Sequence, residues 1–357
     1  MNANHTSQQP TNVRWTICAM LFVATVVNYM DRQALSLRWK DFIAPEFHWT
    51  DEHYGNITAL FAIVYAVGNM FSGRLVDRLG TKNGYLLALG VWSVGACMHA
   101  FCGWATAKWI WVSSITHLIG NVGEMAAMVA SVSVYFFMTA RVVLAVGETG
   151  NFPAAIKATA EYFPKEDRAF ATAIFNLGAT MGALVAPPSI PILTRVFQQL
   201  GFGNGWKMSF VCIGALEFIW MGVWMLVYKD LKNNVCVNAE ERKYILQDTP
   251  TTLQETDVAM TQKLNHKPMK YTVWQCLRLP QTWGIFLAKF LTDGVWWFFL
   301  FWTPAYISDV YGFASDSIEA RIALLTWYSI TILAIFGSRL PTILHSRLGG
   351  NILNAPA

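Results

Sequence analysis

Gly73-Arg74-Leu75-Val76-Asp77-Arg78-Leu79-Gly80-Thr81-Lys82 lies between two long apolar runs, and its reading decides the fold. Gly73 offers a neighbouring helix close approach, and Gly80 permits a tight turn. Asp77 is placed to accept hydrogen bonds from a helix N-terminus or a nearby Arg. Arg78 and Lys82 hold the turn on the cytoplasmic side of a membrane, where basic residues accumulate. A plain basic loop accounts for the cations but not for the Gly and Asp spacing.

Outward from this turn the chain is unusually apolar. Of its 357 residues 54% are hydrophobic and 13% charged, whereas an average soluble domain is roughly a quarter charged. Eight apolar runs stand out, at 15–36, 53–75, 83–104, 130–151, 168–190, 208–229, 282–307 and 317–340. Their lengths match a helix crossing a ~30 Å hydrocarbon core. The run from Trp15 leads into Asn28-Tyr29-Met30-Asp31-Arg32 rather than into a small-residue cleavage site, so it reads as an uncleaved first span. The formal charge of +4 is too small, and too dispersed, for nucleic acid. The six Cys show no metal-ligand spacing and read as inert thiols. No nucleophile–base, metal or nucleotide motif suggests an enzyme, and no cofactor is expected.

With the N-terminus inside, about two thirds of the 26 basic residues fall in cytoplasmic segments. Residues 109–129 are apolar enough to cross, yet a crossing would put Lys157 to Arg168 outside, and His117, Asn121 and Glu124 sit poorly in lipid. That segment reads as an external excursion between the third and fourth spans. The longest polar stretch, 230–281, has a cytoplasmic linker's composition and is helical near 238–247. The expected organisation is an all-α polytopic protein with a six-helix bundle over 1–229, the linker, and the first two helices of a second bundle over 282–357.

Charged side chains inside spans are costly and mark ion or substrate pathways. Asp31 and Arg32 read as adjacent charges near the external end of the first span. Arg141 and Glu148, seven residues apart, project from one face about 10 Å apart along the axis. A buried Arg suits a carboxylate substrate, because its fork grips both oxygens and it does not lose its proton. A Glu on the same face can take up a proton and couple it to substrate. The alternative is that these charges only lock helices together. Lys289 and Asp293 are i,i+4 neighbours that either neutralise each other or meet substrate. Trp296 and Trp297 either stack on a sugar ring or pack.

The Gly73–Lys82 loop, the six-span half and the long linker resemble the major facilitator superfamily. Asn28–Arg32, Arg141–Glu148, Asn151–Lys157, Glu161–Pro164, Phe175–Thr180 and Ala186–Pro188 are similar to the superfamily's anion:cation symporters. Lys289–Phe299 brings the text nearest to hexuronate transporters, which import galacturonate and glucuronate with protons. The resemblance implies substrate contacts at Arg32, Arg141, Tyr65 and Trp296, and proton coupling at Glu148 with Asp31. Gly73, Asp77, Arg78, Gly80 and Lys82 would form a gating or structural loop. Related acid-sugar symporters place a Gln where this chain has Ala179, which leaves Asn176 or Thr180 as substitutes.

A proton gradient would be the driving force and a small organic anion the cargo. The site would be a plasma (inner) membrane, with the N-terminus cytoplasmic and the full-length protein monomeric. Twelve spans would need about four more helices, so the chain reads as C-terminally truncated. Other carboxylates (aldonate, aromatic acid, sialic acid) and a non-transporting membrane fragment are the alternatives.

Overall fold

The computed structural model describes residues 10–117, 122–231, 234–247, 273–314 and 317–337. Much of the expected linker over 230–281, and the chain beyond 337, lie outside them. Ten helices carry the description: α1 (Val13–Ser36), α2 (Asp51–Leu79), α3 (Thr81–His117), α4 (Val122–Glu148), α5 (Asn151–Tyr162), α6 (Lys165–Gln199), α7 (Trp206–Val227), α8 (Ala239–Ile245), α9 (Pro280–Tyr311) and α10 (Ile318–Gly337).

Seven segments among the described residues are long and apolar enough to cross a membrane. They account for the first seven expected runs, and α10 occupies the eighth. The chain is a multi-pass membrane protein. Helix starts follow local chemistry. Thr50 caps α2 through its hydroxyl at the His53 N–H, and Asp51 and Glu52 fill the first turn. α8 begins under Asn238, whose side chain accepts from the Glu241 N–H at 2.9 Å, as expected of a helix near 238–247.

Small residues set the helix spacing. A Cβ on Gly178 or Gly182 of α6 would meet the carbonyl oxygens of Phe22 or Val26 on α1 at 2.6 and 2.4 Å. A Cβ on Gly147 of α4 would strike the Trp92 backbone of α3 at 2.3 Å. These approaches, four residues apart on α6, are how helices associate where lipid gives no hydrophobic driving force. α1 packs against α6, while α3 packs against both α4 and α7.

Three expectations about elements change. The first span does not end at residue 36: a π-helical turn, Trp39–Ile43, and a short turn, Ala44–Phe47, extend it to a rod of 35 residues. Asp31 and Arg32 are therefore central in the rod, not near its end. The described residues of 109–129 form no separate element; α3 runs on to His117 and α4 begins at Val122. The Gly73–Lys82 turn works through different atoms. Gly73 has nothing within 4 Å of a Cβ, and the close approach falls to Gly84, whose Cβ would lie 3.0 Å from the Val76 Cα. Asp77 is bound by neither a helix N-terminus nor an Arg, but by Lys157 of α5 at 3.1 Å. Lys157 also donates to the Val76 carbonyl at 3.2 Å. Gly80 does make the turn, at φ +80°, and Arg78 and Lys82 flank it.

The linker helix is tied to α1. Glu241, fully buried, accepts from the Val13 and Arg14 N–H groups, both at 3.1 Å. A carboxylate at these orphan donors caps α1 and meets the positive end of its dipole. Glu161 of α5 accepts from Thr81 at the start of α3 and from Tyr228 just past α7, joining three helix ends on the same side.

Candidate functional site

α1, α2, α4 and α9 converge on Arg32. Its Nε donates to Glu148 Oε2 at 2.6 Å, with both side chains at most 2% exposed. Glu148 thus pairs across helices with α1, not with Arg141 on its own helix. Three aromatic rings surround the guanidinium: Tyr65 at 4.4 Å, Tyr29 at 4.9 Å and Trp297 at 5.3 Å. The ring faces carry negative potential and hold a cation that has left water. Arg32 Nη2 and Glu148 Oε1 remain without hydrogen-bond partners, so donor and acceptor capacity is left over at the pair.

Arg141 is buried, faces the Phe61 ring at 5.4 Å, and has no partner for Nη1. Asp31 accepts from the Trp92 indole N–H at 3.0 Å through Oδ2, while Oδ1 is unpartnered. Buried polar groups are ordinarily satisfied. Donors and acceptors left unmatched here give the pocket the chemistry to hydrogen-bond a polar ligand.

Tyr65 lies beside Arg32 and 5.4 Å from Trp297 between ring centroids. Trp297 faces the Arg32 guanidinium, and both it and Trp296 are half-buried against the core. The aromatic signal was legible, but two adjacent Trp residues point about 100° apart on a helix and spacing alone does not choose between them. α6 turns Phe175, Gly178 and Gly182 inward, which leaves Asn176 exposed and Thr180 half-buried. Neither makes a hydrogen bond to the Arg32–Glu148 pair. Lys289 and Asp293 bind each other at 3.3 Å on an exposed face of α9.

One end of this site is closed by α9. Pro304 lacks the N–H that would bond the Leu300 carbonyl, and Ser36 Oγ donates there at 3.3 Å and to Phe301 O at 2.8 Å. Tyr54 Oη donates to the same Phe301 carbonyl at 2.9 Å. Trp39 stacks on Tyr54 at 4.3 Å, Trp302 meets both edge-on, and Lys40 bridges Asp51 and Asp309 at 3.1 and 3.0 Å.

A polytopic helical bundle with a buried, incompletely satisfied ion pair at its centre is the architecture of a membrane transporter. The chain belongs to the Major Facilitator Superfamily, whose family model matches residues 21–354. It is 30% identical to the hexuronate transporter of Escherichia coli K12, an alignment covering 96% of this chain and 68% of that protein. It is 28% identical to the galacturonate transporter of Dickeya chrysanthemi, covering 96% and 85%. A probable galactarate/D-glucarate transporter of Escherichia coli K12 is 25% identical, over 83% of this chain and 60% of its own. Among solved structures, a bacterial homologue of the human lysosomal transporter Spinster, inward-facing and unoccupied, superposes with a TM-score of 0.61. At 19% identity that match covers 94% of this chain and 63% of the other. These relatives are transporters, not enzymes.

Glu217, Arg38 and His99, all buried, escaped the sequence reading. Glu217 had a signal: a carboxylate among Phe218, Ile219 and Trp220 inside an apolar run. Arg38 lies beyond residue 36, the expected end of the first span, so no intramembrane charge was read there.

Proposed function

We propose that this chain forms the substrate- and proton-handling part of a symporter that imports a sugar acid, a hexuronate such as galacturonate or glucuronate. The observation carrying the reading is the Arg32–Glu148 bond inside its aromatic enclosure. While Glu148 is ionised it occupies the Arg32 fork. A proton on Glu148 removes the charge-assisted part of that bond and frees Arg32 for the substrate carboxylate. The unpartnered Nη1 of Arg141 is a second donor for the same anion. The Tyr65 and Trp297 faces offer apolar surface to a sugar ring. Anion and proton enter together because each removes the other's obstacle.

The N-terminus is cytoplasmic in this reading, in a plasma membrane, as the basic-residue bias favours. The Ser36–Lys40 end, sealed by α9, is then external, and the described state faces the cytoplasm. Alternating access follows when the two halves rock about the site.

The test uses the full-length protein in proteoliposomes. Replacing Glu148 by Gln is expected to abolish uptake of labelled galacturonate driven by a pH gradient and to leave counterflow exchange intact. Concentrative uptake that survives the replacement would sink the proton role. Competition by glucuronate but not by aldonates, aromatic acids or sialic acid identifies the cargo.

A further inference from the structure

Behind α1, away from the aromatic enclosure of Arg32, lies a second set of buried oxygens. The register of α3 against α7 places it. Gly214 of α7 lies so close to α3 that a Cβ would meet Cys97 Sγ at 2.4 Å and the Ser93 carbonyl at 3.4 Å. One direction along the seam, Gly90 faces Met221 at 3.8 Å and Tyr85 meets Trp224 at 4.8 Å. In the other direction His99 stacks on Phe210 at 5.0 Å. The helices run antiparallel, and Glu217, three residues past Gly214 and on the same face, falls beside Ser93. Trp92, the residue before Ser93, donates to Asp31. One step of α3 therefore meets a carboxyl from α1 on one side and a carboxyl from α7 on the other.

Asp31, Glu217 and Ser93 are each at most 1% exposed. Both Glu217 oxygens, Asp31 Oδ1 and Ser93 Oγ have no hydrogen-bond partner. An ionised Glu217 would have at most the Ser93 hydroxyl as a donor in a dry place, and burying a carboxylate so poorly matched is costly. Two anions there would also repel each other through a low dielectric. We propose that Glu217 holds a proton and forms with Asp31 a second protonatable pair, linked through Ser93 and separate from the Arg32–Glu148 pair. A protonated Glu217 is a donor, and the unpartnered oxygens of Ser93 and Asp31 are acceptors for it. A proton moving along this line breaks one O–H bond and forms one at each step. It starts on a hydronium ion, leaves a water behind, and ends on Asp31 Oδ1.

The other facing groups do not neutralise Glu217. From α1's extension, Arg38 lays its guanidinium 4.3 Å over Phe210, about 10 Å along the helix from Glu217. From α3 come Cys97, half-buried, and His99, whose Nδ1 donates to the Gly95 carbonyl at 2.8 Å. From α4 come Glu148, already held by Arg32, and Arg141. From α6, Thr194 meets Ser209 at 3.1 Å, more than a helical turn away.

The inference deepens the symport reading, on which its transport consequence rests; the pair itself rests on packing. Infrared spectra of the full-length protein in lipid at neutral pH test it. A protonated-carboxyl carbonyl band is expected in the unaltered protein, lost in Glu217→Gln and shifted in frequency in Ser93→Ala. An undiminished band in a folded Glu217→Gln protein overturns the proposal. If that variant does not fold, Ser93→Ala decides: a shifted band supports the pair and an unmoved band overturns it. Galacturonate uptake by the unaltered protein reads the symport proposal separately. Absent uptake with the band in place sinks symport and leaves the pair standing.

Discussion

Arg32 can be isolated experimentally because its neighbours divide the labour. Glu148 takes its charge, and Tyr65 and Trp297 take its faces. Trp297→Ala removes one face, and a cation–π contact is worth about 0.5–2 kcal/mol. The expected outcome is a rise in KM for the sugar acid of roughly twofold to thirtyfold, at 1.4 kcal/mol per decade. Trp296→Ala should leave KM within about twofold, since the side chain packs away from the guanidinium. Initial-rate uptake by both variants checks the pair. At this scale the sequence was informative about identity and poor about partnership. Arg32, Arg141, Glu148 and Asp31 announced themselves as charges in apolar runs. That Glu148 answers Arg32 rather than Arg141 depends on how α1 and α4 face each other, and a single helix's periodicity carries no such information.

The contact between α1 and α6 is close because two glycines on α6 face α1 carbonyls. Gly182→Val would drive side-chain atoms into the Val26 oxygen, which a Cβ alone reaches at 2.4 Å. Overpacking of this kind costs about 1–3 kcal/mol or more, read as an earlier thermal unfolding midpoint in detergent. Gly73→Ala, with open space at its Cβ, should leave that midpoint unchanged. The turn motif shows the same division between what is legible and what is not. Gly80 was readable because a tight turn needs a residue tolerant of positive φ. Gly73 and Gly84 look alike in sequence, and only packing tells which one touches Val76. The extension of the first span to Phe47 was hidden by Arg38, Lys40 and Asp41, whose charges end an apolar window although the helix continues.

For the molecule as a whole, seven of the eight runs and the turn between α2 and α3 were written in hydropathy and charge. Closure at one end was not, since it joins residues some 265 positions apart, Ser36 to Phe301. Ser36→Ala with Lys40→Ala removes a hydrogen bond of about 1 kcal/mol and exposed ion pairs of about 0–1 kcal/mol. The population open at that end should rise roughly fivefold to thirtyfold. A Cys placed at Thr303, 9% exposed, should then react correspondingly faster with a membrane-impermeant maleimide; an unchanged rate would show that these contacts do not hold the end shut. The far side has its own tie. Glu241→Gln should loosen α1 from α8 and raise amide exchange at Val13 and Arg14.

The seal between α9 and the first two helices is also lopsided in a way that matters for variation. Ser36 and Tyr54 offer side chains, but what they hold on α9 is main-chain oxygen: that of Leu300, whose helical donor Pro304 withholds, and that of Phe301. Replacing Leu300 or Phe301 changes bulk and leaves both acceptors in place. Mutations that break these hydrogen bonds will therefore accumulate on Ser36 and Tyr54, and α9's share of them is invisible to side-chain scanning, whereas its Asp309 and Trp302 contacts are not.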